Sequence, residues 1–452
     1  MKSIREILDN ELLNDQDIRS QIEEYEIHEV IDQWDSLNPD EKFKIFRYLD
    51  HTEKTNFLLE LSVPEQEQLF QVFSDKQIDQ LLGDLQPDDL VDIIQTVSED
   101  VKKILWEKLS DEAKRETLYL MRFDEDDAAG IMNPRYMAIG DHINVGQAMA
   151  FIRKNAADVE SIYYIYVVDK KRVLVGVCSL KELLSADDAI PVRVIMENEL
   201  ITVREDTDQE DVAKILETYD LVSLPVVDSG NVLLGIITFD DVIDVIREEQ
   251  TEDVYKMGAM GGGSDRYLDT NVWGLVKKRI PWLIILLILG TVSTNVVAHY
   301  NEVFKHALLA TTFLMIFMPV ITQTGGNSGS QSSTLMIRGL ATGEIHFRDF
   351  GKILLKELKV GLIIGVITGF VIFGRSILFP PNIELVDSLI VGIALGFVVL
   401  FSTLIGAVAP MLIHRLGFDP TVMSAPLMAT VIDVCGLTLY FEIARLLLSW
   451  MT

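Results

Sequence analysis

Cysteine is nearly absent from this chain, which has only Cys178 and Cys435 among its 452 residues. Two cysteines so far apart provide neither a disulfide framework nor a zinc-binding motif. The chain starts with MKSIREILDNELL, which is charged and lacks the apolar stretch of a signal peptide. We therefore expect the N-terminal part of the protein to lie in the cytoplasm.

Basic residues are also scarce, with 39 Lys and Arg against 69 Asp and Glu, and a net charge of −30. From Gly274 to the end we count 12 basic and 9 acidic residues, which leaves 27 and 60 for residues 1–273. The first part is thus −33 and the last part +3. The acidity argues against nucleic acid as a partner and is compatible with binding cations.

Long apolar runs in the last part of the chain predict membrane spans, because crossing a bilayer takes about 20 residues. Buried helices of a large soluble core are the alternative. Basic residues flank the first, third and fifth runs, which places those flanks in the cytoplasm and the C-terminus outside. The five predicted spans are Ile280–His299, Phe304–Ile321, Val360–Leu378, Leu389–Ile413 and Val422–Trp450.

A polar segment, TQTGGNSGSQSS at Thr322–Ser333, interrupts the apolar pattern. Irregular backbone at membrane depth is tolerated where it is buried in protein or lines water. A cytoplasmic loop is an equal alternative, and the small residues also suit close helix packing. We expect Pro319 to break the preceding span, and Pro410 and Pro426 to make further helix irregularities.

Asp433 is a carboxylate inside the last apolar run, VIDVCGLTLY. A charge at that depth costs a few kcal/mol by insertion scales, and such residues commonly mark ion pathways. A hydrogen bond to a neighbouring helix is the alternative. The pattern therefore makes Asp433 a candidate cation contact.

Residues 1–130 are polar and helical in pattern. Pro39, Pro64 and Pro87 each open a new apolar-periodic stretch, as expected for proline in the first helical turn. Their spacings of 25 and 23 residues predict a stack of short helices. The acids after Pro87, taken alone, are typical of a helix N-terminus.

Residues 131–252 contain an internal repeat, in which YVVDKKRVLVGVCSLKELL aligns with PVVDSGNVLLGIITFDDVI at an offset of 59. Each copy reads strand, turn, strand and helix, and the two resemble a tandem pair of cystathionine-β-synthase (CBS) domains. Such pairs often bind adenine nucleotides. That resemblance implies ATP as a ligand, with Thr238 and Asp240 at the nucleotide; a purely structural turn is the alternative.

The helix after the second copy is unusually acidic. Asp241 and Asp244 share one face, and so do Glu249, Glu252 and Asp253. Like charges at this spacing repel, and a divalent cation with oxygen ligands, such as Mg²⁺ or Ca²⁺, would remove the repulsion. A plain acidic surface is the alternative. Residues 253–279 then read as a connecting helix that leads into the first span.

The whole chain resembles the MgtE family of magnesium channels, and the segments IYYIYVVD, TEDVYKMGA and TGGNSGSQSS carry the resemblance. It implies a multi-domain fold. An all-α superhelix at 1–130 precedes an α/β CBS pair at 131–252, a connecting (plug) helix at 253–279 and an α-helical transmembrane pore domain of five spans at 280–452.

The resemblance further implies a homodimer in a cell membrane, with an ion pore on its two-fold axis. Asp433, Ala429, Gly326 and Ser330 match pore positions of the family. Magnesium keeps most of its water ligands, so Asp433 would act mainly through water. The family often has Asn where this chain has Ser330 and Ala425.

The family closes when cytosolic Mg²⁺ is high, which is negative feedback for Mg²⁺ homeostasis. One family carboxylate of the first domain is replaced here by Asn56. The positions that match its regulatory Mg²⁺ ligands are Asp88, Asp92, Asp208, Glu210, Asp220, Asp241, Asp244, Glu249, Glu252 and Asp253.

Three other functions are compatible with parts of the sequence. They are transport of Co²⁺ or Mn²⁺ by the same fold, a CBS-regulated anion channel, and a membrane-anchored nucleotide sensor. A carboxylate in the pore repels anions, and a sensor has no need of an intramembrane acid. The chain contains neither a nucleophile–base pair nor a Walker motif, so we expect no enzyme.

Overall fold

The computed structural model describes residues 4–8, 15–22, 24–25, 27–34, 36–262, 267, 270–304, 308–380 and 383–451. Contacts divide the chain into two compact units, Met1–Arg247 and Glu248–Thr452. Each unit is described by itself below.

Short helices stacked on one another form the first part of the first unit. Their shared core contains Trp34, Phe57 and Phe70, all nearly inaccessible to solvent. The all-α stack predicted for this region is therefore present. The helices are α1 (Ile4–Leu8), α2 (Asp15–Ile22), α3 (Ile27–Trp34), α4 (Pro39–Tyr48), α5 (His51–Leu59), α6 (Val63–Val72), α7 (Asp75–Asp84), α8 (Pro87–Thr96), α9 (Glu99–Lys108) and α10 (Asp111–Leu120).

The helices from α4 to α10 repeat every twelve residues. An apolar residue precedes each cap and is buried, because the chain turns back into the stack at that point. Polar caps then satisfy free backbone N–H groups of the first turn, as Asn38, Asp50 and Ser110 do. The caps are Asn38, Asp50, Ser62, Ser74, Gln86, Ser98 and Ser110, and the buried residues before them are Leu37, Leu49, Leu61, Phe73, Leu85, Val97 and Leu109.

Two small sheets follow, each with three strands in the order of the chain. The first pair in each sheet is parallel and the second pair antiparallel. The middle and last strands of the two sheets begin 59 residues apart, which confirms the predicted repeat. The elements are β1 (Ala138–Gly140), α11 (Val145–Asn155), β2 (Tyr164–Val168), β3 (Leu174–Ser179), α12 (Leu180–Ser185), α13 (Val192–Ile195), β4 (Val203–Arg204), α14 (Gln209–Tyr219), β5 (Ser223–Val227), β6 (Leu233–Thr238) and α15 (Phe239–Met257).

The two copies exchange the segments that lead into them. Met132, ahead of the first copy, packs against Gly235 of the second, where an added Cβ would lie 2.8 Å from its sulfur. Met196, ahead of the second copy, packs against Gly176 of the first in the same way, at 2.6 Å. Both positions require glycine, because a methionine side chain occupies the space where the Cβ of any other residue would lie.

Within the described residues, the second unit is built on five long helices. The largest fully buried side chains there include Phe317, Tyr440 and Phe441. The helices are α16 (Val272–Val303), α17 (Leu308–Ala341), α18 (Phe350–Leu378), α19 (Leu385–Arg415) and α20 (Ala425–Met451).

The predicted connecting helix at 253–279 is not one helix. Helix α15 ends at Met257, and Ala259 then adopts a left-handed backbone conformation with φ of 51°. Asn271 starts a new helix by accepting a hydrogen bond from Gly274 N at 2.8 Å. Helix α16 continues through Pro281 into the first predicted span, so residues 272–279 belong to that helix.

Three helical segments in the described part of the chain are long and apolar enough to cross a bilayer, Val272–Val303, Phe347–Leu378 and Leu385–Arg415. Helices α17 and α20 are long too, with 34 and 27 residues, but contain the polar segment and Asp433. The total of five spans stays a prediction.

The polar segment Thr322–Ser333 lies inside α17 and is helical throughout. Both irregular backbone and a loop were therefore wrong expectations, and so was a break at Pro319. The packing explains the helix: an added Cβ at Gly406 of α19 would lie 2.2 Å from the carbonyl oxygen of Gly329. The close-packing interpretation of the small residues is confirmed.

Candidate ion-contact sites

Helices α17 and α20 meet at the positions predicted to line a pore. An added Cβ on Gly326 would lie 3.5 Å from the Cβ of Ala429, so the two helices are in van der Waals contact there. One turn along α17, Ser330 Oγ donates a hydrogen bond to the carbonyl oxygen of Ala425 at 3.3 Å. Three of the four predicted pore residues thus lie at this contact.

Asp433, the fourth, lies one turn beyond Ala429 on α20 and is half-buried. Its neighbour Ile432 is 1% exposed and packs closely against Gly325 and Gly329. That packing fixes the rotation of α20. Within the described residues, no hydrogen bond or ion pair involves the Asp433 carboxylate, so a hydrogen bond to a neighbouring helix does not account for it.

A cluster of acids in the first unit joins α8 to the CBS pair. Its centre is Asn133, which is fully buried and donates from Nδ2 to Asp88 Oδ1 at 3.1 Å and to Glu160 Oε2 at 3.0 Å. Its own Oδ1 accepts from Arg135 N at 2.8 Å. One neutral amide therefore holds two carboxylates of distant parts of the chain together.

Burial and mutual repulsion make these acids reluctant to ionise. Burial, with the nearby Asp241 charge, raises the pKa of Asp88 well above its usual value. The same two causes raise the pKa of Asp89 and of Glu160 to about 7 each. Burial also raises the pKa of Asp241. Raised values of this kind reflect burial first and the neighbouring negative charges second.

Thr238 and Asp241 form the N-terminal cap of α15. The Thr238 hydroxyl and backbone N–H both donate to Asp241 Oδ2. Ser179 and Glu182 form the matching cap in the first copy, where the serine N–H donates to Glu182 Oε2 at 2.8 Å. Ser179 and Thr238, which occupy the same position of the repeat, thus have the same structural role in both copies, and the exposed Asp240 lies beside Thr238.

The other predicted regulatory acids are more scattered. Asp208 and Glu210 lie at the start of α14 and Asp220 at its end, about 16 Å away for eleven helical residues. Asp208 caps the helix by accepting from Glu210 N at 2.8 Å. Among the described residues, no three Asp, Glu, His or Cys side chains form a ready metal cage.

Along α8 and α15 the remaining predicted acids take separate positions. Asp92 follows Asp88 by one turn of α8. Asp244 pairs with Arg247 at 3.1 Å, and Glu252 pairs with Lys256 at 3.0 Å. Glu249 and Asp253 lie beside Glu252 on the same helix.

Three residues at these sites had no place in the sequence-based prediction. Asn133 and Glu160 belong to connecting segments outside the repeated strands, and no sequence motif marks them. Glu357 lies between basic residues in KELK, which reads as an interfacial charge cluster. It is instead 6% exposed and accepts a hydrogen bond from Ser332 at 2.9 Å.

Family models match three parts of the chain: MgtE intracellular N domain at 25–126, CBS domain at 128–189 and 192–248, and a divalent cation transporter at 318–443. The magnesium transporter MgtE of Thermus thermophilus is 37% identical over 96% of this chain and 95% of its own length. The chain belongs to the MgtE family.

Further MgtE relatives and structures agree with this assignment. The magnesium transporter MgtE of Bacillus subtilis is 29% identical over 95% of this chain and 93% of its own length. A crystal structure of the cytosolic domain of the Mg²⁺ channel MgtE in complex with ATP matches with a TM-score of 0.51 and 36% identity. It covers 54% of this chain and 98% of that one.

Membership in the MgtE family settles several expectations. Its named members are transporters and not enzymes. The chain is a membrane protein with cytosolic N-terminal domains and a CBS pair, and its family transports magnesium. The fold of helical domain, CBS pair and apolar C-terminal helices is confirmed.

Proposed function

We propose that the chain is a Mg²⁺-selective channel whose ions pass beside Asp433. The contact of Gly326 and Ser330 with Ala429 and Ala425 carries the proposal, because it presents small side chains and backbone carbonyls one turn from an acid. Two such surfaces, facing each other across a dimer axis, would leave room for a hydrated ion, which Mg²⁺ requires. In a homodimer, two copies of Asp433 would face each other across the axis.

Closure at high cytosolic Mg²⁺ would use the acids of the first unit, together with those of α15. Buried carboxylates with raised pKa values gain most from a bound cation, because the cation offsets both burial and repulsion. Mg²⁺ would shift the population towards closure only by binding the closed state more tightly. The separation of Asp208 and Glu210 from Asp220 suits ligands shared between two copies.

ATP is the proposed ligand of the CBS pair, supported by the ATP complex of the similar cytosolic domain. In this chain the Thr238 hydroxyl already donates to Asp241. A phosphate would therefore compete with a cap of the acidic helix α15, which connects nucleotide binding to the Mg²⁺-binding acids. An extracytoplasmic C-terminus follows if all five long helices span the membrane.

Transport of Co²⁺ or Mn²⁺ is the second candidate, since the matching family model describes divalent cation transport in general. Ser330 and Ala425 replace residues that are often Asn in the family, so the filter here has fewer amide oxygens. Oxygen-only surroundings still favour the harder Mg²⁺.

Ion uptake into proteoliposomes tests the pore assignment. We expect Asp433→Ala and Asp433→Asn to lower Mg²⁺ flux at least about tenfold, since a lost interaction of about 1.4 kcal/mol changes a rate that much. Asp387→Asn, which removes an acid from the first turn of α19, is the matched control. Undiminished Mg²⁺ flux in both Asp433 variants would rule the assignment out.

A further inference from the structure

A second carboxylate lies within the apolar helices, away from the predicted pore face. Glu357 belongs to α18, in a segment long and apolar enough to cross a bilayer. It is 6% exposed. Its carboxylate accepts a hydrogen bond from Ser332 Oγ of α17 at 2.9 Å, and Ser332 is itself 5% exposed.

The Glu357 contact belongs to a polar face on the back of α17. Ser328, one turn before Ser332, shares a hydrogen bond with Thr403 of α19 at 2.9 Å, and all three are buried. Residues two apart in a helix lie about 200° from each other around its axis. Ser328 and Ser332 therefore face away from Gly326 and Ser330.

Helix α17 carries both of these faces. The close contacts on its two sides leave rotation and sliding as its main movements. Gly325 and Gly329 allow α19 and α20 to approach closely, and glycine and serine surfaces are smooth. Smooth contacts resist rotation less than interlocked large side chains do. The hydrogen bonds of the back face are directional contacts that hold the rotation of α17 against α18 and α19, in addition to the bonds that Ser330 and Ser333 donate to the Ala425 and Met423 carbonyl oxygens.

A carboxylate is a costly way to make such a contact in an apolar helix, so its presence calls for a function. What it provides is a hydrogen-bond acceptor for the buried Ser332 hydroxyl, which would otherwise lack this partner. Glu357 is too buried to contact a passing hydrated ion from its present position. Its effect must reach the ion path through α17.

We propose that Glu357 is a positioning residue for ion selectivity: through Ser332 it fixes the rotation of α17, and thereby the direction in which Gly326 and Ser330 face the ion. The inference rests on the proposed pore but assigns a role to a different face of the helix. It requires the hydrogen-bond acceptor at position 357, and not the negative charge.

The test compares variants in full-length protein reconstituted into proteoliposomes, with Mg²⁺ and Co²⁺ uptake measured in parallel. Glu357→Leu and Ser332→Ala each remove the hydrogen bond, whereas Glu357→Gln keeps an acceptor without the charge. Ser376→Ala is the control, because the hydroxyl of that buried serine of α18 donates within its own helix, to Phe373 O. The ratio of the two uptakes is a property of each folded channel and does not depend on how much protein folds.

We expect Glu357→Leu and Ser332→Ala to change the Mg²⁺ to Co²⁺ ratio at least about threefold, the usual weight of one buried hydrogen bond. Glu357→Gln and Ser376→Ala should keep the wild-type ratio. If Gln changes the ratio as much as Leu, the charge itself acts and the proposal fails. An unchanged ratio in Ser332→Ala overturns it as well, even where Glu357→Leu does not fold.

Asp433→Asn, measured in the same vesicles, separates this inference from the pore assignment. Loss of Mg²⁺ flux in Asp433→Asn with an unchanged ratio in Ser332→Ala would reject only the role of Glu357. Full flux in Asp433→Asn would instead reject the pore on which that role depends.

Discussion

The acids of the two units are placed in opposite ways. Asp88 and Glu160 of the first unit are buried beside Asp241, and burial together with the Asp241 charge raises the pKa of both. Among the described residues, no hydrogen bond or ion pair involves the Asp433 carboxylate of the second unit, and Glu357 has a single hydroxyl partner. A crowd of acids responds to cation concentration as a group, whereas a single acid can contact an ion without holding it. Sensing a cation and conducting it therefore require different local densities of negative charge.

Removing carboxylates from the crowded acids of the first unit is expected to have the largest effect on the difference between the two units. In Asp88→Ala combined with Asp241→Ala, the Mg²⁺ concentration that half-closes the channel should rise at least about tenfold, since losing about 1.4 kcal/mol of binding is enough. Patch recordings with varied cytosolic Mg²⁺ measure it. Asp100→Ala combined with Glu112→Ala, which removes two exposed acids of α9 and α10, is the charge-matched control. Wild-type closure in the double variant would contradict a sensing role for these acids.

The pH dependence of the first unit is expected to be the next largest effect. Asp89 and Glu160 have folded-state pKa values of about 7, above their unfolded values, so the folded state holds their protons longer. Without Mg²⁺, the stability of this region should be greatest below about pH 4 for these groups and fall as pH rises to about 7. The loss is at most about 1.4 kcal/mol per pKa unit for Asp89, and smaller for Glu160, because solvent screens its partly exposed charge.

Hydrogen exchange of α8 and α15 in the full chain, corrected for intrinsic rates, measures this stability. Saturating Mg²⁺ should flatten the profile, because a bound cation replaces the protons. A Mg²⁺-free profile that rises between pH 5 and pH 7 would show that other groups dominate. Asp89→Asn should remove its own share of the slope and leave the remainder.

The smallest expected effect concerns the cap in front of the crowded acids. Gln86 is the one cap among the seven from Asn38 to Ser110 that is not Ser, Asn or Asp, and its buried Oε1 has no hydrogen-bond partner. Gln86→Ser should stabilise α8 by about 0.5–1 kcal/mol. The opening free energy of α8 amides measures the change. Ser110→Ala, which removes an existing cap bond to Ala113, should destabilise α10 by a similar amount.

The stack of helices was predictable in kind but not in period. Proline opens only α4, α6 and α8, so spacings of 25 and 23 residues measure two helices at once. The true twelve-residue signal is an apolar residue followed by a capping residue, which is weaker because four residue types fill the cap position. Chemically equivalent caps hide a regular spacing that identical residues would show.

The polar segment of α17 shows where local composition misleads. Gly325, Gly326 and Gly329 disfavour a helix in water by about 1 kcal/mol each. In this unit Gly325 and Gly329 are favourable, because neighbouring helices approach where a side chain would clash. That gain depends on residues far away in sequence, such as Gly406, and could not be inferred from the segment alone.

The site residues also divide into those that the sequence pattern reveals and those that only the tertiary fold brings together. Asp433 could be found from sequence because an acid in an apolar run is conspicuous. Glu357 could not, because the predicted third span began at Val360 and left it among flanking lysines. Asn133 and Glu160 are ordinary polar residues whose meeting depends on the tertiary fold.

The exchanged methionines mean that neither CBS copy is complete by itself. A chain cut between the copies would give two fragments. Each would contain the methionine that packs on the other copy's sheet and would lack the methionine that packs on its own. The arrangement is what two identical single-copy chains would form by trading their leading segments. An ancestral pair of separate subunits, fused end to end, would account for the 59-residue repeat and for the exchange of leading segments. The single chain would then preserve the arrangement of an ancestral dimer.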